Sequence, residues 1–334
     1  MDSLSQIVLG AAVGNQVLGK KIGNKAILYG AIVGTIPDLD VVYGKFLDPL
    51  TATDIHRGFS HSVVFFLLLS PILGWILQKL EHKNNVNFKE ATLFSYLVLQ
   101  THALLDWFTT WGTQLLWPLE TRFSLQSIFV IDPLYTLPFL FFLILSMKKK
   151  KQDPKRLFWN KTGLIVSTSY LFFTLFVQSI ATNKFEKQLN ENQIFYQEMV
   201  VKPSPFNIIL WTTNVKVDNG YLIADFSFFD TKPIQFQFIP KQKELIAPIE
   251  EEPVIQQLKR ISEGWYCITQ KENQLLFNDL RFGVMNTDST DFQFSFSYAI
   301  KEQNGLYSAN ELPNKNRAQV EKLLKKLWLR MWGN

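Results

Sequence analysis

Six stretches among the first 182 residues are nearly free of charge, and no other feature limits the fold of this chain as strongly. Residues 3–19, 26–37, 62–78, 91–105 and 162–182 contain no Asp, Glu, Lys or Arg, and 125–147 carry only Asp132. A helix that crosses the hydrocarbon core needs about 20 apolar residues, within a range of about 17–25. Residues 162–182 and 125–147 meet that length outright, 62–78 meets it with its flanks, and 91–105 meets it if the helix runs on to Trp111. The first two stretches are shorter and predict a hairpin of short or tilted helices. Each carries a GxxxG, Gly10 with Gly14 and Gly30 with Gly34, the spacing that lets two helix backbones approach closely in lipid.

Charge placement orients these helices. Only 19% of the 334 residues are charged, against about 25% in soluble proteins. Residues 1–182 hold 16 Lys/Arg and 11 Asp/Glu, whereas 183–334 hold 18 of each, so the net +5 belongs to the apolar half. Basic loops in an apolar region point to membrane topology rather than nucleic-acid binding. With loops 20–25, 79–89 and 148–161 on one side, that side collects 13 Lys/Arg and the other keeps Lys45, Arg57 and Arg122. The asymmetry predicts a multi-pass inner-membrane protein with everything after residue 183 outside the cytoplasm. The opening residues lack the basic region of a secretory signal. A lone cysteine, Cys267, excludes an internal disulfide and any CxxC site.

Beyond residue 194 the pattern changes. Apolar and aromatic residues alternate over 221–229 and 292–298, and Asp218-Asn219-Gly220 is a hairpin turn signal between 206–217 and 221–229. Residues 250–263 read as a short helix and 316–332 as an amphipathic one. The expected architecture is an α-helical membrane bundle, residues 1–182, followed by a β-rich α+β water-facing domain, residues 183–334.

Chemistry concentrates at one edge of the bundle. His102 and Asp106 are four apart, hence on one face of a helix and able to share a metal. Asp38 and Asp40 follow Pro37 where the second apolar stretch ends, and His56-Arg57-Gly58-Phe59-Ser60-His61-Ser62 leads into the third. The deduced topology puts all of these on the outer side, together with Asp132 and Asp2. Each signal also has a structural reading: a helical His/Asp hydrogen bond, a helix stop, an interfacial loop with Arg57 on lipid phosphate. Several carboxylates and imidazoles at an apolar edge, however, call for a compensating cation or protons. Without thiolates, the donor set favours zinc, with manganese and iron also acceptable.

At these motifs the chain resembles the membrane-bound metal-dependent hydrolases, a YdjM-like family associated with LexA in some bacteria. The matching residues are Met1-Asp2-Ser3-Leu4-Ser5-Gln6, Gly34-Thr35-Ile36-Pro37-Asp38-Leu39-Asp40, the 56–62 segment, Thr101-His102-Ala103-Leu104-Leu105-Asp106, and Ile131-Asp132-Pro133-Leu134-Tyr135, in that order. Pro205-Phe206-Asn207 and Asp279-Leu280-Arg281-Phe282-Gly283 resemble the companion domain of one branch. The family is in turn similar in motif order to zinc-dependent phospholipase C and P1-type nucleases. That similarity implies a helical bundle of about six apolar helices with Asp38, His61, His102 and Asp106 around one metal. Gln6 stands where many relatives have histidine, and the further His-x-x-x-Glu of the trinuclear enzymes is absent.

The leading expectation is therefore a metal-dependent hydrolase working on a phosphoester or lipid-like substrate at the outer membrane face. In it Asp40 or His56 serves as base and Arg57 grips an anionic head group. A non-enzymatic metal-binding membrane protein, a transporter, and a purely structural cluster are the rivals. Membrane lipid is the expected partner, nucleic acid is not expected, and the C-terminal domain is free to cap the site or to bind a protein.

Overall fold

A computed structural model describes residues 1–271, 274–284, 292–312 and 317–334, the side chains of 317–320 apart. The chain forms two compact units. One holds Met1–Phe46, Ile55–Phe176 and Pro205–Asn207; the other holds Leu47–Asp54, Val177–Ser204 and Ile208–Asn334.

The first unit is helical. Asp2 caps α1 (Ser3–Ile22) by accepting from Ser5 N, 3.1 Å away. Gly23, at φ 63°, turns the chain into α2 (Asn24–Thr35). The two GxxxG motifs face one another: a Cβ on Gly10 would sit 2.5 Å from Gly30 O and 3.1 Å from Gly34 Cα. Only hydrogen fits there. Pro37 then opens a 3-10 turn, Pro37–Leu39, which leads into the short α3 (Asp40–Gly44); α2 and Pro37–Gly44 are bent by 42°. After α4 (Pro49–Ile55) and the turn Phe59–His61, Ser62 Oγ caps α5 (Val63–Leu80). A capping box of Asn87 and Glu90 starts α6 (Phe88–Trp107). α7 (Pro133–Met147) and α8 (Pro154–Glu191) follow.

Three expectations need revision. The stretch 125–147 is helical only from Pro133, because Asp132 accepts from Leu134 N and Tyr135 N as the helix cap. Upstream, Leu125 N and Ser127 N instead donate to Trp107 O and Phe108 O. The stretch 162–182 lies within α8, so residues 182 and 183 are interior to one continuous helix. Among the described residues, Val63–Leu80 and Pro154–Glu191 are long and apolar enough to cross a membrane, and the bent pair raises the total to three at most. α6 has the length but carries Lys89, Glu90, His102 and Asp106, and α7 has only 15 residues.

The second unit contains two four-stranded antiparallel sheets among the described residues. The first runs β1 (Glu198–Pro203), β2 (Leu210–Val217), β3 (Gly220–Ser227), β4 (Gln237–Pro240), in that spatial order. α9 (Pro253–Ile261) precedes the second, β5 (Tyr266–Lys271), β6 (Gln274–Val284), β7 (Phe294–Gln303), β8 (Leu306–Glu311). α10 (Arg317–Met331) closes the chain; residue 316, expected to begin it, is outside the described residues. Val217 pairs with Gly220 across the expected hairpin turn. Tyr221, Ile223 and Ile239 pack with Trp265, Cys267 and Leu280. Beside them runs a polar seam. The register of β6 shifts between Asp279 and Val284, and the carbonyls there are met by side chains: Asn214 Nδ2 donates to Leu280 O at 2.5 Å and Lys202 Nζ donates to Arg281 O. The Arg281 guanidinium holds Asp279 at 2.8 Å. Unpaired strand carbonyls at a bulge are thus satisfied inside the fold.

Candidate metal centre

The four expected ligands arrive on three separate segments. Asp38 sits in the turn that Pro37 opens, His61 ends the turn before α5, and His102 and Asp106 lie one turn apart near the end of α6. One ligand atom of each lies within 4.8 Å of the others. The two Nε2 atoms are 3.3 Å apart. Each is 3.4 Å from Asp38 Oδ1 and 3.4 Å from Asp106 Oδ2. His61, His102 and Asp106 are buried, whereas the Asp38 side chain is 25% exposed.

The surrounding hydrogen bonds fix the protons. His102 Nδ1 is 2.6 Å from Gly34 O, a pure acceptor, so Nδ1 carries the hydrogen. Ser60 Oγ donates to Asp40 Oδ2 at 2.9 Å and lies 2.9 Å from His61 Nδ1. Its one hydrogen goes to the carboxylate, so it accepts from His61 Nδ1. Both rings therefore turn Nε2 inward, towards two carboxylate oxygens. Asp106 Oδ2 is buried and has no hydrogen-bond partner. Two carboxylate oxygens and two imidazole nitrogens converging in a buried place require a cation or protons among them. An ion with four tetrahedral bonds of about 2.0–2.1 Å needs ligand atoms about 3.3–3.4 Å apart. The five His–His and His–Asp separations match that spacing, so the residues fit a small divalent cation.

A second ring of contacts orients the first, as is usual around metal ligands. Asp106 Oδ1 accepts from Gln6 Nε2 at 3.1 Å, lies 3.1 Å from Arg57 Nη2 and also contacts the Met1 amine, which leaves Oδ2 to face the site. Arg57 Nη1 donates to Thr109 Oγ1 at 2.8 Å. Arg57, expected to grip a head group, is thus buried against Asp106. Its backbone is left-handed, at φ 57°, a conformation costing about 1–2 kcal/mol for a residue with a side chain. Asp40 holds the segment in that shape: it accepts from Arg57 N at 2.9 Å and lies 3.2 Å from His56 Nδ1. The ring of His56 stands edge-on to Trp111. Asp132 and Asp2 cap helices instead of joining the cluster, and Tyr170 OH donates to Asp132 Oδ2 at 2.8 Å. Sequence reasoning missed Ser60, Thr109 and the Gly34 carbonyl. Ser60 had a signal, sitting between the two histidines of its motif; a backbone carbonyl gives none.

Residues 1–185, which include all four residues of the cluster, match the family model of the YdjM inner membrane protein. This chain belongs to that family. It is 28% identical over 141 residues to Bacillus subtilis (strain 168) "Uncharacterized protein YfhP", covering 40% of this chain and 42% of the relative. It is 30% identical over 138 residues to Escherichia coli (strain K12) inner membrane protein YbcI, covering 39% of this chain and 78% of the relative. The chain therefore spans under half of YfhP's length. No solved structure matches it. The YdjM-family region ends within α8, before the sheets begin.

Proposed function

We propose that this YdjM-family chain is a multi-pass, metal-dependent hydrolase acting on a phosphoester or lipid-like substrate at the outer face of the inner membrane. The observation that carries the reading is the inward convergence of two Nε2 atoms and two carboxylate oxygens, with the His–His and His–Asp separations at 3.3–3.4 Å. Nitrogen and oxygen donors at that spacing favour zinc over manganese or iron. The motif order supports a bundle similar to zinc-dependent phospholipase C and P1-type nucleases, and the excess of basic loops on one side supports an extracytoplasmic C-terminal domain.

A bound divalent cation supplies Lewis-acid polarisation and acidifies water. The chain's own groups do the rest. Asp38, the one ligand with solvent exposure, marks the side from which a substrate oxygen enters. His56, 23% exposed and braced by Asp40, accepts and returns a proton. Arg57 neutralises Asp106 and keeps its Oδ2 turned inward.

A second reading has one observation in its favour. A set of four protein side chains suits a structural zinc site, whereas catalytic sites keep an open position; this favours a non-enzymatic metal-binding protein. Metal analysis of protein purified in detergent, wild type beside His61→Ala and His102→Ala, tests both. Stoichiometric metal in wild type that is lost in both variants is expected, and metal-free wild type overturns both. Hydrolysis of phospholipid or chromogenic phosphoesters by the loaded wild type selects the enzyme, and loaded but inactive protein selects the second reading.

A further inference from the structure

α10 belongs to the second unit, and most side chains of its residues 321–331 are exposed. Its last turn is fixed: Ser227 Oγ donates to Met331 O at 2.5 Å, and Arg330 forks onto Asp230 at 2.5 and 2.7 Å. Met331 is the buried residue of 321–331; Trp328 is 61% exposed and Leu329 71%.

The exposed side combines apolar and basic residues. Leu324, Trp328 and Trp332 follow one another at steps of four and form an exposed apolar stripe. The stripe is widened by Phe229, whose ring stacks on Trp332 at 5.3 Å, and by the exposed Phe228. Lys325, three residues before Trp328, flanks this stripe, Lys322 and Lys326 lie further round the helix, Glu321 sits beside Leu324, and Arg330 is taken up by Asp230. Protein–protein interfaces are depleted in lysine. Tryptophan beside apolar residues, flanked by lysines, is the composition of a helix lying in the plane of an anionic bilayer surface.

We propose that α10, with Phe228 and Phe229, is a membrane-docking face that inserts Leu324, Trp328 and Trp332 at the lipid headgroup level and sets its lysines against anionic lipid. This assignment is independent of the metal centre. Lysines near an anionic surface contribute cumulatively, so reversing three of them lowers partition onto that surface by on the order of 100-fold.

The test uses the full chain with Cys267→Ser and a nitroxide at Leu324→Cys, reconstituted in nanodiscs of phosphatidylglycerol or of phosphatidylcholine. Accessibility of the label to oxygen and to a water-soluble nickel chelate reports its depth. Oxygen-accessible, nickel-excluded label in the anionic discs, weakened in the zwitterionic discs and abolished by Lys322/Lys325/Lys326→Glu at unchanged circular dichroism, is the expected result. A nickel-accessible label in the anionic discs overturns the proposal. So does immersion that is indifferent to the lysine reversal, or label burial with spin–spin broadening that grows with protein concentration, which assigns the face to a second copy or another protein.

Discussion

Replacing Gly10 by Ala tests whether the candidate metal centre depends on the closeness of α1 and α2, at a residue outside the cluster itself. The new Cβ would lie 2.5 Å from Gly30 O and 3.3 Å from Gly30 C, both backbone atoms that cannot rotate away. Restoring ordinary carbon–oxygen contact moves the helices apart by roughly 0.9 Å. Gly34, one turn beyond Gly30, provides the carbonyl that holds His102 Nδ1 at 2.6 Å, and Asp38 follows four residues later. Metal–ligand distances tolerate about 0.2 Å, so the shift pulls Asp38 and the His102 bond out of register together. Overpacking of this kind destabilises by about 1–3 kcal/mol, and loss of a ligand-orienting bond lowers metal affinity by about 10–100-fold. Chelator competition on detergent-purified protein, with thermal unfolding in parallel, measures both. Leu28→Ala, on the exposed side of α2, serves as control and leaves affinity unchanged. If Gly10→Ala binds metal as tightly as wild type, the coupling between glycine seam and site is refuted.

Four further outcomes follow from single groups. Asp40→Asn, which weakens the hold on Ser60 and the Arg57 amide, keeps metal but lowers its affinity by about 10–100-fold, read in the same competition. Burial pushes the Lys202 amine down to about 7 from an ordinary 10.5. Between those values the unfolded chain binds a proton that the native state does not, so this residue's contribution to stability rises with pH from 7 to 10.5 and is lowest, and flat, below 7. The full span is about 5 kcal/mol; Lys202→Met removes that slope, measured as the difference between denaturation profiles. Burial raises the Cys267 thiol to about 12, so a maleimide labels it only after unfolding. Ser62→Ala, which deletes the α5 cap beside His61, costs about 0.5–2 kcal/mol and is visible as a lower melting temperature.

The order of elements was written in local chemistry. Charge-free runs, Asp2, Ser62, Asn87 and Asp132 as caps, and Asp218-Asn219-Gly220 as a turn act through neighbours in the chain, and period-2 alternation marks strands wherever they pair. The His102/Asp106 pair was equally legible, because a His and an Asp four apart on a helix share a face whatever surrounds them, whereas Asp38 and His61 joined it through the family resemblance. Local pattern failed where two roles share one residue type: Asp132 is an acid near the same edge as Asp38, yet it bonds its own helix N–H groups and Tyr170. It also failed for span length, since the cap at Asp132 shortens an apolar run that composition alone would have carried across a membrane.

What only tertiary structure decided is which atoms face one another. The inward Nε2 of His61 depends on Ser60 and Asp40, and that of His102 on a carbonyl 68 residues away. Arg57, a head-group candidate by sequence, is turned onto Asp106 by a left-handed backbone that no residue pattern announces. The physical reason is range: capping and periodicity act over a few residues, whereas a lone pair's direction is set by whichever distant donor or acceptor packing brings within 3 Å.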